Sequence, residues 1–248
     1  MIVIENLWKA YDTLQVLKGL NLTIENGETV VILGRSGVGK SVLLRQIIGI
    51  EKPDRGTVTI EGKNLLTLPR KERQRISKQM GMLFQGAALF DSMNVAENTA
   101  FYLKQHLNLT EKEIKKRVSH ALEMVDLAGT EEKMPSDLSG GMRKRAAIAR
   151  LIVYRPNIVL YDEPTTGLDP ITAMQINKLI CRTQRELKAT SIVVTHDIRS
   201  AKEVGDKLAF HHDGKILHVA PKQDFFSIQD PTLQAFFQNA WINERSHP

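Results

Sequence analysis

Residues 29–41 constrain this chain more than any other stretch. Thr-Val-Val-Ile-Leu runs directly into Gly34-Arg35-Ser36-Gly37-Val38-Gly39-Lys40-Ser41, and the apolar run Val42 to Ile50 follows. The segment fits Gly-x-x-x-x-Gly-Lys-Ser/Thr in the setting that pattern needs, a strand before it and a helix after it. Its residue types answer to phosphate chemistry. Glycines let backbone N–H groups curl around phosphate oxygens, and the helix start adds its positive end. Lys40 brings a charge to the β and γ phosphates, and Ser41 offers a hydroxyl to Mg²⁺. A chance glycine-rich turn would lack the strand and helix that flank it here.

Further short β-branched runs at 2–4, 57–60, 80–84, 158–161 and 191–195 read as strands. Thr29 to Leu33, Ile158 to Tyr161 and Ile192 to Val194 are continuously apolar, as central parallel strands covered on both faces are. The fold class is therefore α/β. Asp213-Gly214, between 207–212 and 215–220, accepts the positive φ angles of a type I′ turn and predicts a closing hairpin. Between Asn108 and Pro135 the period changes. Ile114, Val118, Leu122 and Val125 line one helical face, Thr110 and Glu113 match a capping box, and Gly129 is placed to end the helix. Another helix is expected from about Ile171 to Leu187.

With 248 residues, 42% of them apolar and 25% charged, the chain can bury a real core. No apolar run approaches the roughly 18 to 20 residues that cross a bilayer, and Met1 to Lys9 lacks the shape of a signal peptide. A soluble, unexported chain is expected. Cys181 is the only cysteine, which excludes an internal disulfide and leaves a packing role. The net charge of +6 suits an anionic partner. Its densest basic run, Arg70, Lys71, Arg73, Arg75 and Lys78, reads as a solvated helix face and not as a nucleic-acid site.

Two more segments carry chemistry. Ile158-Val-Leu-Tyr-Asp162-Glu163 is an apolar strand delivering adjacent carboxylates at its C-terminal end, where ligands of open α/β sheets sit. Strand alternation would point the two apart, leaving Asp162 for the Mg²⁺ shell and Glu163 to deprotonate the attacking water. Upstream, Leu138-Ser139-Gly140-Gly141-Met142 is a small-residue loop leading into the helix-like run Arg143 to Val153, a second phosphate-binding helix start.

Together these motifs closely resemble the ATP-binding subunits of ABC transporters, whose signature is LSGGQ; Met142 replaces its final Gln and costs one polar side chain. The resemblance covers nearly the whole chain. It implies a P-loop NTPase (RecA-like) core with an antiparallel β subdomain and an inserted α-helical subdomain at about 86–154. The ABC domain would span 1–222 and a C-terminal helical extension 223–248. It further implies that Tyr11 stacks on adenine and that Gln85 touches the Mg²⁺ and the water. Asp169 would cross between subunits and His196 contact the γ-phosphate. ATP and Mg²⁺ are the implied cofactors. Because Lys40 and Ser139 would serve one phosphate from two chains, a second copy of this chain is the implied partner in a head-to-tail dimer.

Met82 to Asn98, the LSGGM signature and Asp169-Pro-Ile-Thr172 resemble the ATPases of the Mla or Mce-type phospholipid-trafficking systems. That resemblance implies an integral-membrane permease, an Mce-type lipid-binding protein beyond it, and a peripheral place on the cytoplasmic face of the inner membrane. A small regulatory subunit is compatible with it, and nucleic acid is not expected. An ATPase of an amino-acid importer would share every catalytic residue. A DNA-acting ABC ATPase typically splits its cassette with a long coiled coil, and no heptad array interrupts this chain. An Asn-Lys-x-Asp guanine reader is missing, since Leu179 and Ile180 follow Asn177-Lys178. At the tail, Asp230-Pro231 can start a helix carrying Leu233, Phe236, Phe237, Trp241 and Ile242 at helical spacings, to pack on its own chain or on a partner.

Overall fold

The computed structural model describes residues 1–245, with side chains described through Asn239. Two sheets organise the chain. Strands β1 (Ile2–Tyr11), β2 (Leu14–Ile24), β4 (Arg55–Ile60) and β5 (Lys63–Asn64) form an antiparallel sheet in the order β2-β1-β4-β5. The larger sheet uses β3 (Thr29–Leu33), β6 (Met80–Leu83), β7 (Ile158–Asp162), β8 (Thr190–Thr195), β9 (Lys207–His212) and β10 (Lys215–Pro221), in the order β10-β9-β3-β8-β7-β6. Its neighbours are parallel except β9 and β10, which pair as a hairpin. Asp213 and Gly214 at the hairpin tip both have positive φ, 44° and 77°, as the Asp-Gly dipeptide predicts.

Continuous apolarity in the central strands has a direct cause. Val30 and Ile32 of β3 join one buried cluster, with α1 (Lys40–Ile47) and the antiparallel sheet. Val31 and Leu33 join the other, with most of the remaining helices. A strand buried on both faces offers water no side on which a polar residue would be favoured.

The helical layer comprises α2 (Arg70–Ser77), α3 (Val95–His106), α4 (Glu111–Met124), α5 (Gly140–Ile152), α6 (Pro170–Leu187), α7 (Ile198–Val204), the short α8 (Lys222–Phe225) and α9 (Pro231–Arg245). Only Ile76 of α2 is buried, so the basic run is a solvated face. Asn94 and Thr110 start α3 and α4 with full capping boxes, satisfying N–H groups that the helix leaves open. Gly129 does not end α4. The helix stops at Met124, and Asp126 takes the left-handed turn there with φ 56°. Ser139 caps α5 through the Met142 N–H, and Asp169 caps α6 with Pro170 at its first position.

Asp230 caps α9, accepting the Leu233 N–H at 2.9 Å. Leu233, Phe236 and Phe237 are buried in the chain's own core, with Phe236 against Phe210 and Phe237 against Phe225 and Phe226. The first turns of α9 therefore pack on their own chain, while Trp241 and Ile242 lie outside the described side chains. No helix among the described residues is long and apolar enough to cross a membrane.

Candidate active site

The loop 34–39 crosses from the end of β3 to the start of α1 and needs its glycines. A Cβ on Gly34 would sit 2.5 Å from the His211 carbonyl oxygen. One on Gly39, where φ is 99°, would sit 2.5 Å from Val16. Gly37 also has positive φ, and nothing lies within 4 Å of its would-be Cβ, so the loop is open on that side. A cavity of ≈ 330 Å³ lies over it, lined among others by Ser36, Lys40, Ser41, Gln85, Glu163 and His196.

Inside this cavity the charges are paired. Lys40 Nζ donates to the carbonyls of Gly34 at 2.8 Å and Arg35 at 3.0 Å, and lies 3.1 Å from a Glu163 oxygen. The other Glu163 oxygen is 3.0 Å from His196 Nδ1 and accepts the Thr166 hydroxyl at 3.2 Å. Burial works to raise the Glu163 pKa, but the His196 hydrogen bond and the Lys40 charge outweigh it, so the carboxyl titrates below its ordinary value. The same hydrogen bond raises His196 against the opposing effect of burial.

Asp162 accepts the Ser41 hydroxyl at 2.8 Å. Burial raises its pKa, the Ser41 bond opposes that, and the neighbouring Glu163 charge raises it further. A hydroxyl, a buried carboxylate strained by a second negative charge, and the nearby Gln85 form a hard oxygen donor set at the edge of a phosphate loop. That set fits Mg²⁺ held jointly with phosphates.

Strand alternation does not separate the two carboxylates. The strand ends at Asp162, and Glu163 is left-handed with φ 46°, its N–H held by the Val194 carbonyl at 3.0 Å. That turn swings Glu163 towards Lys40 and His196, so both carboxylates serve the phosphate loop. Val16, Val42 and Thr166 also line the cavity. Thr166 is readable from its place three residues after Glu163, whereas nothing in the sequence marks Val16, which arrives from β2.

Other expected residues stand apart from this cavity. Tyr11 ends β1, 40% exposed, with its hydroxyl bonded to Glu51 and Lys9 over its ring. Gly34, Arg35 and Val38 shape the loop without lining the cavity. Ser139, Gly140 and Gly141 at the start of α5, and Asp169 at the start of α6, lie near one another: a Cβ on Gly141 would touch Thr172 of α6 at 2.6 Å. None of them lines the cavity above Lys40. The residues expected to face phosphate therefore do not all meet at this cavity.

Residues 17–166 match the ABC transporter family model. The chain is 38% identical over 241 residues to the protein named "Probable ribonucleotide transport ATP-binding protein mkl" of Mycobacterium bovis, covering 97% of this chain and 67% of that protein. It is also 38% identical over 221 residues to the intermembrane phospholipid transport system ATP-binding protein MlaF of Escherichia coli, covering 89% of this chain and 82% of MlaF. Among solved structures, a dimeric ATP-binding cassette in a post-hydrolysis state with ADP and Pi superposes with a TM-score of 0.82 at 33% identity. That match covers 90% of this chain and 99% of the cassette.

Proposed function

Since the chain belongs to the ABC transporter family and is an ATPase of that family, we propose that it drives a separate membrane permease of a phospholipid-trafficking system, working as an ATP-sandwich dimer. The observation that supports the dimer is the division of the expected phosphate-facing residues between two surfaces. Lys40, Ser41, Gln85, Glu163 and His196 meet at the cavity, while Ser139 to Gly141 and Asp169 face elsewhere. A second copy would bring its Ser139 surface onto this chain's nucleotide, twice over by two-fold symmetry.

In this mechanism the loop 34–41 binds the phosphates through its N–H groups, and Tyr11 stacks on the base. Ser41 and Asp162, with Gln85 beside them, would hold Mg²⁺, which would supply charge neutralisation to the bound phosphates. Arriving phosphate competes with Glu163 for Lys40, and exchange of that ion pair frees the Glu163 carboxylate. The freed carboxylate takes a proton from water as the water attacks the γ-phosphorus, and the bond to ADP breaks. His196 holds the carboxylate in line and contacts the γ-phosphate.

The membrane partner has a suitable surface in the apolar groove of ≈ 390 Å³ lined by Met82, Phe84, Phe90, Phe101 and Tyr154. It begins one residue from Gln85, so a permease helix seated there would bear on the catalytic loop. Phospholipid as cargo rests on the Met82 to Asn98 segment and on the likeness to MlaF. An Mce-type protein and a small regulatory subunit complete the proposed assembly, with this chain on the cytoplasmic face of the inner membrane. The proposed boundaries are 1–222 for the ATPase domain and 223–248 for the extension.

The test uses Glu163→Gln, which should bind ATP and dimerise in light scattering. Adding Ser139→Arg should abolish dimerisation while each monomer still binds ATP. A double variant that dimerises with ATP overturns the composite site. The membrane protein that co-purifies in mild detergent tests the transport system, and an amino-acid permease in its place overturns the phospholipid assignment.

A further inference from the structure

Helix α5 does more than present Ser139. Five residues along it, Lys144 is only 5% exposed, and its ammonium donates to the Gln85 backbone carbonyl. Six residues further, Arg150 donates to the carbonyls of Ala88 at 2.7 Å and Ala87 at 3.1 Å. Those two alanines are left-handed, with φ 52° and 63°, a conformation that a non-glycine residue holds only when its surroundings compel it. Two cations of one helix thus grip the segment 85–88 that runs between the nucleotide cavity and the apolar groove.

Lys144 differs from Arg150 in its electrostatic setting. Its partner is a neutral carbonyl, and burial pulls its pKa below the ordinary lysine value against the opposing negative charges of Asp162 and Glu163. Burying an ammonium is costly without such compensation, so a packing role alone is poorly served by a lysine here.

We propose that Lys144 is a positioning residue that ties the outward-facing signature helix to Gln85 and tempers the negative field at Asp162 and Glu163. The inference rests on the composite-site reading: α5 meets the partner chain's nucleotide at Ser139 and its own chain's catalytic loop at Lys144. A shift of α5 on dimerisation therefore moves Gln85 directly, and the two nucleotide sites are mechanically joined through one side chain.

Lys144→Met removes donor and charge while keeping most of the side chain's length. Turnover should fall about tenfold or more, with the KM for ATP within about twofold of the parent. Because a positive charge near the carboxylates is lost, half-saturating Mg²⁺ for binding of fluorescent ADP should fall about threefold. That shift is a readout that loss of packing would not produce. If the methionine variant fails to fold, Lys144→Gln is measured in the same way. Unchanged turnover in a folded variant overturns the proposal, and so does reduced turnover with an unchanged or raised Mg²⁺ midpoint. A parent chain that neither binds nor hydrolyses ATP instead removes the functional reading itself, before any variant is compared.

Discussion

At Glu163 one backbone angle decides the chemistry. Its left-handed φ brings the carboxylate between Lys40 and His196, where it is held ionised until, in the proposed mechanism, phosphate takes Lys40. Glu163→Gln should retain nucleotide binding and lower kcat by about 10²- to 10⁴-fold, measured by phosphate release, since the amide keeps shape and loses basicity. Stability should follow the same groups. The depressed Glu163 pKa contributes stability above its unfolded value, and this is lost as pH falls through the folded one. The raised His196 pKa contributes stability below its unfolded value, lost as pH rises through the folded one.

His211, beneath the phosphate loop, behaves in the opposite sense to His196. It is fully buried with no hydrogen-bond partner among the described residues for either ring nitrogen, and burial, helped by the Lys40 charge, pushes its pKa down to about 4. It is neutral when folded and readily charged when unfolded. Its share of stability is therefore present above about pH 6.5 and drains away towards pH 4. His211→Phe should lose less Tm than the parent between pH 8 and pH 5 in calorimetry. An equal loss in both proteins would remove His211 from the acid response.

At the scale of elements, the helix starts are set by short-range chemistry. In α4 the Thr110 hydroxyl accepts the Glu113 N–H while Glu113 accepts the Thr110 N–H at 2.8 Å, two neighbours satisfying each other's open groups. Thr110→Ala should cost about 1 kcal/mol in denaturant unfolding, with ATP hydrolysis unaffected. A cost near zero would mean that tertiary packing alone holds that helix end. Such caps are readable from sequence because all their atoms lie within one turn. The other end of α4 is not: Gly129 is the better left-handed residue by composition, yet Asp126 makes the turn because its carboxylate is bound by Arg145 of α5 and Arg182 of α6.

For the whole molecule, the placement of α9 carries the strongest consequence. Leu233, Phe236 and Phe237 are buried in the same cluster as β9 and α8. Each such side chain contributes about 1.5–3 kcal/mol, so three approach the whole stability of a typical domain, about 5–15 kcal/mol. Truncation after Asp230 should therefore destabilise the isolated monomer and lower its Tm sharply without ATP. A truncated monomer with the parent's Tm would show that these contacts add nothing on their own chain. A role for α9 only in the dimer would leave the monomer intact, which this packing argues against.

The sequence by itself determined the strand, loop and helix around Lys40, the doubly covered central strands, the helix starts at Thr110 and Asp230, and the Asp213-Gly214 hairpin. Each is settled by residues close together in the chain or by a periodicity that burial imposes. Only the tertiary structure decided that Glu163 turns towards the same loop as Asp162, that Val16 walls the cavity, and that Lys144 reaches Gln85. It also decided that α9 folds back on Phe210. The physical reason is the same in each case: these outcomes depend on which distant segments the sheet order brings into contact, and the interaction exists only after that order has formed.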